Sequence, residues 1–221
     1  MKTKLKAPLI AALTFFALFI TLIVLVKSVD VARIGDSRTQ VGLSGINEKV
    51  FSKYGYLKTW HKATNILGYL SLAVAAFFAI YGIVSLIKVK KFNKLDKDFY
   101  ALAGVYVLLA FFYILFEKAV VNYRPVILDG KLEASFPSSH TMLTLVILGT
   151  AIVEIQRKIK NPKAKYALTV ILEIIMAVMV IGRLLAGVHW FTDILGGVLI
   201  SGFMVSAYIF AVNLIDENSA R

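Results

Sequence analysis

Six apolar segments, near residues 7–26, 65–87, 99–116, 139–156, 167–186 and 192–214, constrain this 221-residue chain more than any other feature. A helix crosses a hydrocarbon core about 30 Å thick in roughly 20 residues, and these runs are of that order. The prediction is an all-α, polytopic membrane protein with about six transmembrane helices. An apolar content of 59% with only four prolines excludes an ordinary soluble domain. The first segment follows Lys2, Lys4 and Lys6, yet its apolar run exceeds a usual signal-peptide core, so it reads as a retained anchor. Residues 1–221 read as one integral membrane domain without internal repeats or low-complexity tracts.

The formal charge of +12 does not point to nucleic acid, because the lysines gather in short segments between apolar runs. Lys88, Lys90, Lys91, Lys94 and Lys97 fill one such segment, and Arg157, Lys158, Lys160, Lys163 and Lys165 another. Positive charge in short loops marks the cytoplasmic side, which places both termini inside and the connections 27–64, 117–138 and 187–191 outside. The 27–64 connection is also basic, but long loops weigh less in that rule. Its Leu43, Ile46, Val50, Tyr54, Leu57 and Trp60 recur at near-helical intervals, predicting an interfacial amphipathic helix that anchors the chain. Trp60-His61-Lys62 reads as a membrane boundary rather than as chemistry. Glu154 and Glu173 interrupt apolar helices and are expected to snorkel or to make interhelical hydrogen bonds. The absence of cysteine removes disulfides, thiolate nucleophiles and cysteine-ligated metals.

Three polar clusters fall on the predicted outer side: Lys118 with Arg124-Pro125, then Pro137-Ser138-Ser139-His140, then Arg183 with His189 and Asp193. Each has an ordinary explanation, since basic residues snorkel at helix ends, serines cap helices and His-Trp suits an interface. Their co-location on one face indicates a single site. Four residues advance a helix by about 400° and roughly 6 Å, so if 189–193 is helical the Asp193 carboxylate reaches the His189 imidazole.

Together these clusters closely resemble the three-part signature of the type 2 phosphatidic acid phosphatase superfamily, which includes bacterial lipid phosphate phosphatases and vanadium haloperoxidases. That signature runs from a lysine to Arg-Pro, then Pro-Ser-Gly-His, then Ser-Arg with five residues to a histidine and three more to an aspartate. The segment 117–193 carries all three parts, with three departures. Five residues separate Lys118 from Arg124 where the family has six, a difference of about 100° on a helix that a bend before the proline can absorb. Ser139 replaces the usual glycine but keeps its N–H, and Gly182 replaces the serine before Arg183.

The resemblance implies a helical core whose last three spans assemble the site, and hydrolysis of a phosphate monoester or diphosphate through a phosphohistidine. His189 is then the nucleophile, Asp193 accepts its other ring N–H, and His140 protonates the leaving oxygen. Lys118, Arg124 and Arg183, with Ser138 and the N–H of Ser139 at a helix N-terminus, would hold the phosphoryl oxygens. No metal or other cofactor is required, and three cations beside one carboxylate are a poor setting for a divalent ion. The implied partner is an amphiphilic lipid phosphate, with undecaprenyl diphosphate leading and phosphatidylglycerophosphate and phosphatidic acid as competitors. Neither nucleic acid nor an obligatory protein partner is implied. The implied location is the bacterial cytoplasmic membrane, with the site on its outer face. Six spans disfavour the haloperoxidase branch. A phospholipid-binding or transport protein is the alternative of a different class, for which an acid paired with a nucleophile has no use.

Overall fold

The computed structural model describes residues 3–90 and 96–219, so Lys2, Lys91 and Lys94 lie outside the described residues. It consists of α1 (Thr3–Ser28), β1 (Ala32–Ile34), β2 (Thr39–Val41), α2 (Ser44–Tyr54), α3 (Lys58–Val89), α4 (Lys97–Lys118), α5 (Ser139–Lys158), α6 (Pro162–Ala186) and α7 (Phe191–Ser219). All but α2 among these helices are long and apolar enough to span a membrane, giving six spans among the described residues. Lipid offers the backbone no hydrogen-bonding partner, which is why these apolar runs close their bonds internally as helices. The β1–β2 hairpin, with Ala32 opposite Val41, is a small addition to the all-α plan.

Local signals set the helix ends. Asn161 accepts hydrogen bonds from the N–H groups of Lys163 and Ala164 at 3.0 and 3.2 Å, and Pro162 occupies the first turn of α6, where its missing donor is harmless. Gly187 ends α6 in the left-handed conformation. Successive spans alternate in direction, so the C-termini of α1, α4 and α6 share one end of the bundle with the N-termini of α3, α5 and α7. At the other end the Asn213 amide donates to the Lys4 carbonyl at 3.1 Å, joining α7 to α1.

Helix α5 is the most buried span and the least apolar. Both follow from its position: Met142, Val146 and Ile147 pack with Phe19 of α1, Leu109 of α4 and Met204 of α7. Facing protein rather than lipid, α5 also tolerates hydroxyls that bind its neighbours. Ser71 of α3 donates to Thr144 at 3.1 Å, and Ser201 of α7 donates to the Met142 carbonyl at 3.2 Å. Helices α3 and α4 leave a cleft containing two apolar cavities of about 500 and 520 Å³ that share Tyr106 and Ala110.

The outer connection differs from expectation. Helix α2 covers only Ser44–Tyr54; Leu43 precedes it with positive φ, and Trp60 already belongs to α3. Its buried residues are Ser44 and Asn47, whereas Ile46 and Tyr54 are exposed. The predicted apolar stripe therefore does not form the inner face of α2, because Asn47 is held there by hydrogen bonds with the Gly42 carbonyl, the Thr192 hydroxyl and the Thr192 N–H.

At the end away from α5's N-terminus, charges are paired. Arg157 forms ion pairs with Asp98 and Asp216, at 3.1 and 2.8 Å, and Lys158 with Asp96 and Glu154, at 2.5 and 3.3 Å. Tyr208 also donates to Glu154, the interhelical hydrogen bond expected of that residue. Glu173 instead lies midway along α6 with its side chain exposed, neither at a helix end nor in a buried contact.

Candidate active site

Two irregular segments bring the polar clusters together. After α4 stops at Lys118, the chain folds back on itself: Tyr123 bridges Ala134 and Leu128 bridges Lys131, with the turn at Asp129 and Gly130, both at positive φ. The Arg124 N–H donates to the Glu133 carbonyl and the Ser135 N–H to the Asn122 carbonyl, at 3.2 and 3.0 Å. This ladder places Arg124 and Ser135 in one short strip leading into α5.

The second segment is the turn 187–190. Gly187 has φ +65°, and a Cβ there would lie 1.8 Å from the Gly55 carbonyl, so both backbone conformation and packing demand glycine. Trp190 is fully buried, and its indole N–H donates to the Tyr123 carbonyl at 2.8 Å, locking the turn to the Arg124 strip. The Trp190 N–H donates to Asp193 Oδ2 at 2.8 Å, which caps the start of α7.

Between these residues His189 is held by Ser135. Its Nδ1 lies 3.0 Å from the Ser135 carbonyl oxygen. A carbonyl only accepts, so Nδ1 carries the proton of the neutral ring and the lone pair resides on Nε2. That Nε2 is buried and without a hydrogen-bond partner. The expected direct bond to Asp193 is absent: Nδ1 is 3.8 Å from Oδ2, because His189 precedes α7 rather than sharing its first turn. Ser135 bridges the gap, its hydroxyl donating to Asp193 Oδ2 and lying 3.2 Å from Nδ1. Burial, reinforced by the charges of Arg183 and Arg124, holds the His189 pKa well below the usual imidazole range, keeping the ring neutral.

The remaining expected residues divide. His189, Arg124 and Ser139 line one small cavity of about 20 Å³. His140 lies at the adjoining apolar cavity, which shares Tyr113 and Ser139 with the first. A Cβ on Gly68 of α3 would approach His140 Cδ2 to 2.8 Å, so that glycine makes room for the imidazole. Arg183 is fully buried, with Nη1 held by Thr64 Oγ1 at 3.2 Å and Asn65 Oδ1 at 3.3 Å. Ser138 is fully buried, donates its N–H to the Asp193 carbonyl and accepts from the Thr141 hydroxyl at 3.0 Å. Arg124 pairs with Glu133 at 3.0 Å.

Lys118 departs from its expected place. It is exposed and does not line the cavity, where its neighbour Glu117 stands instead. The helix persists to Lys118, so no bend within α4 turns this lysine inward. Among the described residues, no group of three His, Asp or Glu side chains gathers as a metal site.

Residues 117–215 match the PAP2 superfamily by sequence-family comparison. This region is similar to the PAP2 superfamily. No curated protein matches the chain. Among solved structures it is similar to a transmembrane PAP2-type phosphatidylglycerophosphate phosphatase from Bacillus subtilis, at 18% identity and a TM-score of 0.65, covering 94% of this chain and 96% of that one. The likeness extends beyond the matched region to the helices that precede it, α4 included.

The PAP2 signature also clarifies two of the departures. Six residues between lysine and Arg124 would put the family lysine at position 117, where this chain has Glu117. At Gly182, a Cβ would meet Thr64 Cγ2 at 2.7 Å and a Trp60 ring carbon at 3.0 Å. The space of the PAP2 serine side chain is thus occupied by α3, which also supplies the Thr64 and Asn65 contacts to Arg183. Trp60 consequently packs beside the site rather than serving only as a boundary residue. Ser135, Thr64 and Asn65 carried no recognisable sequence signal, whereas Glu117 could be found by counting back from Arg124.

Proposed function

We propose that this protein is a membrane lipid phosphate phosphatase. The observation carrying this reading is the juxtaposition at Ser139: a cavity with the unprotonated Nε2 of His189 and Arg124 on one side, and an apolar cavity ending at His140 on the other. The first presents a nucleophile, a cation and a helix N-terminus to a phosphate, and the second has room for a lipid chain. The similar fold of a bacterial phosphatidylglycerophosphate phosphatase is in keeping with this reading.

In the first step Nε2 of His189 attacks phosphorus, forming the N–P bond as the bond to the lipid oxygen breaks, and His140 gives its proton to that oxygen. In the second, His140 takes a proton from water, the resulting oxygen attacks phosphorus, and the N–P bond breaks to release phosphate. Arg124, Arg183 and the N–H of Ser139 at the α5 N-terminus stabilise the phosphoryl charge. Asp193 acts on His189 through the Ser135 hydroxyl. Ser138 supports that turn, and Lys118 contributes at most at long range. This scheme uses the protein's own side chains and backbone and requires no metal. Undecaprenyl diphosphate, phosphatidylglycerophosphate and phosphatidic acid are the candidate substrates, and the basic segments at the opposite end support a site on the outer face of a bacterial cytoplasmic membrane.

The deciding experiment is phosphate release from these three lipids by detergent-purified protein with EDTA present, for wild type and His189→Ala. Release by wild type alone is expected. Equal release by both proteins rules out the His189 mechanism, and failure of folded wild type on every lipid favours binding or transport.

A further inference from the structure

Five arginine and histidine nitrogens are buried without a hydrogen-bond partner among the described residues: His61 Nδ1, Arg124 Nε, His140 Nδ1, Arg183 Nε and His189 Nε2. Four of them belong to the polar clusters already placed at the site. The fifth lies on α3, ahead of the region that matches the PAP2 superfamily. In sequence His61 sits in a Trp-His-Lys run typical of a membrane boundary, but its surroundings in the fold are those of the other four. The residue as a whole is half-buried, so a ligand can reach it.

The register of α3 sets where this histidine stands. Thr64 and Asn65 hold Arg183 Nη1, and Gly68 makes room for the His140 ring, so the α3 face carrying 64, 65 and 68 is turned toward the site. Residues four apart share a helix face and lie about 6 Å apart along it, which puts His61 on that face one turn before Asn65. The start of α3 is also tied to the end of α6, just ahead of the His189 turn. The Leu57 N–H donates to the Ala186 carbonyl at 3.2 Å, and the His61 N–H donates to the Leu57 carbonyl at 3.0 Å. The Tyr56 ring meets the His61 ring edge to face, with centroids 6.0 Å apart, which limits rotation of the imidazole. Arg183 and Arg124 are the cations in electrostatic reach of that ring, Glu133 and Asp129 the carboxylates, and His140 the other histidine.

The charge around the arginines shows what such a ring can add. Arg124 is paired with Glu133 at 3.0 Å, and Glu117 lines the cavity where the PAP2 signature has a lysine, so two carboxylates oppose the two arginines. Lys118 is exposed and does not restore the balance. An N–H directed at an anion is about twice as strong as one between neutral groups, and an imidazole supplies it without bringing a negative charge. We propose that His61 is a further phosphate-contacting residue, donating from Nδ1 to a phosphoryl oxygen beside Arg183 and taking over part of the role that the signature gives to lysine. Thr64 and Asn65 position Arg183, and His61, one turn along the same face, touches the ligand itself. This inference rests on the phosphatase reading and adds to its site a helix that the three motifs do not contain.

The test takes whichever of the three candidate lipids wild type hydrolyses fastest, in mixed micelles with the detergent-purified full chain, and inorganic orthovanadate as a competing oxyanion. His61→Asn keeps an N–H donor near the Nδ1 position, whereas His61→Leu keeps most of the volume without a donor. His61→Leu is expected to lower kcat/KM by about tenfold and to raise the vanadate inhibition constant by about the same factor. His61→Asn should stay within about threefold of wild type in both. Equal losses in the two variants, or a vanadate constant unmoved by His61→Leu, overturn the proposal while leaving His189-dependent release intact. Release absent from all three lipids with folded wild type, or unchanged in His189→Ala, overturns the phosphatase reading and this inference with it.

Discussion

Where α5 ends, Arg157 makes hydrogen bonds to both Asp98 and Asp216, and Lys158 meets Asp96, Asp98 and Glu154. Where α5 begins, His140 Nδ1, Arg124 Nε, Arg183 Nε, His189 Nε2 and Asp193 Oδ1 are all buried without a hydrogen-bond partner. Both regions place charge inside a membrane protein, but the second, despite the Arg124–Glu133 pair, leaves several polar atoms unmatched. An unmatched buried polar atom destabilises a fold by about 1–3 kcal/mol, so a group of them at one end implies a role that stability alone does not supply. The paired end holds the bundle together, and the unpaired end is kept ready for an anion.

Substitutions at the two ends should therefore separate activity from stability. Arg183→Ala, at the unpaired end, is expected to lower the single-turnover rate by about a hundredfold or more, through lost stabilisation of phosphoryl charge. Gly68→Ala tests the same end from a helix outside the sequence signature. Pushing His140 aside should reduce kcat by about tenfold to a hundredfold while the thermal midpoint changes little. The pH profile sharpens this further. Protonation of His189 removes its lone pair, and because its folded pKa lies well below 6.5, kcat/KM should hold as pH falls through 6.5 and decline only below it. A decline centred at 6.5 or above would contradict the buried neutral ring.

At the paired end the effect should reverse. Arg157→Ala leaves Asp98 buried without its main partner, so unfolding in detergent should require about 3 kcal/mol less, with kcat preserved in the folded fraction. Lys118→Ala should have the smallest effect, within about threefold in turnover, as expected of an exposed unpaired cation. A loss at Lys118 equal to that at Arg183 would show that the lysine swings into the site.

The spans were legible because length and apolarity dictate them: 139–156 became Ser139–Lys158, and 192–214 became Phe191–Ser219. Helix α3 starts at Lys58, seven residues before the expected 65, because polar Trp60-His61-Lys62 disguises its first turns. His189, His140, Arg124 and Arg183 announced themselves through spacing. Ser135 did not, since its role depends on the ladder pairing 122–124 with 133–135, and Asn47 reaches Thr192 across 145 positions. Hydrophobic periodicity also misread α2, where one buried amide determines which face turns inward. Proximity created by tertiary packing leaves no local pattern, whereas a displaced motif residue such as Lys118 does.

The cleft between α3 and α4 bears on how reaction rates are to be expressed. Its rim residues Tyr69, Leu72 and Val107 are exposed along the membrane-spanning face, and its cavities lead toward His140. A lipid using that route diffuses in two dimensions and never becomes a dissolved species. Its encounter frequency then follows mole fraction within the bilayer, so adding inert lipid at fixed total substrate should slow the enzyme by surface dilution.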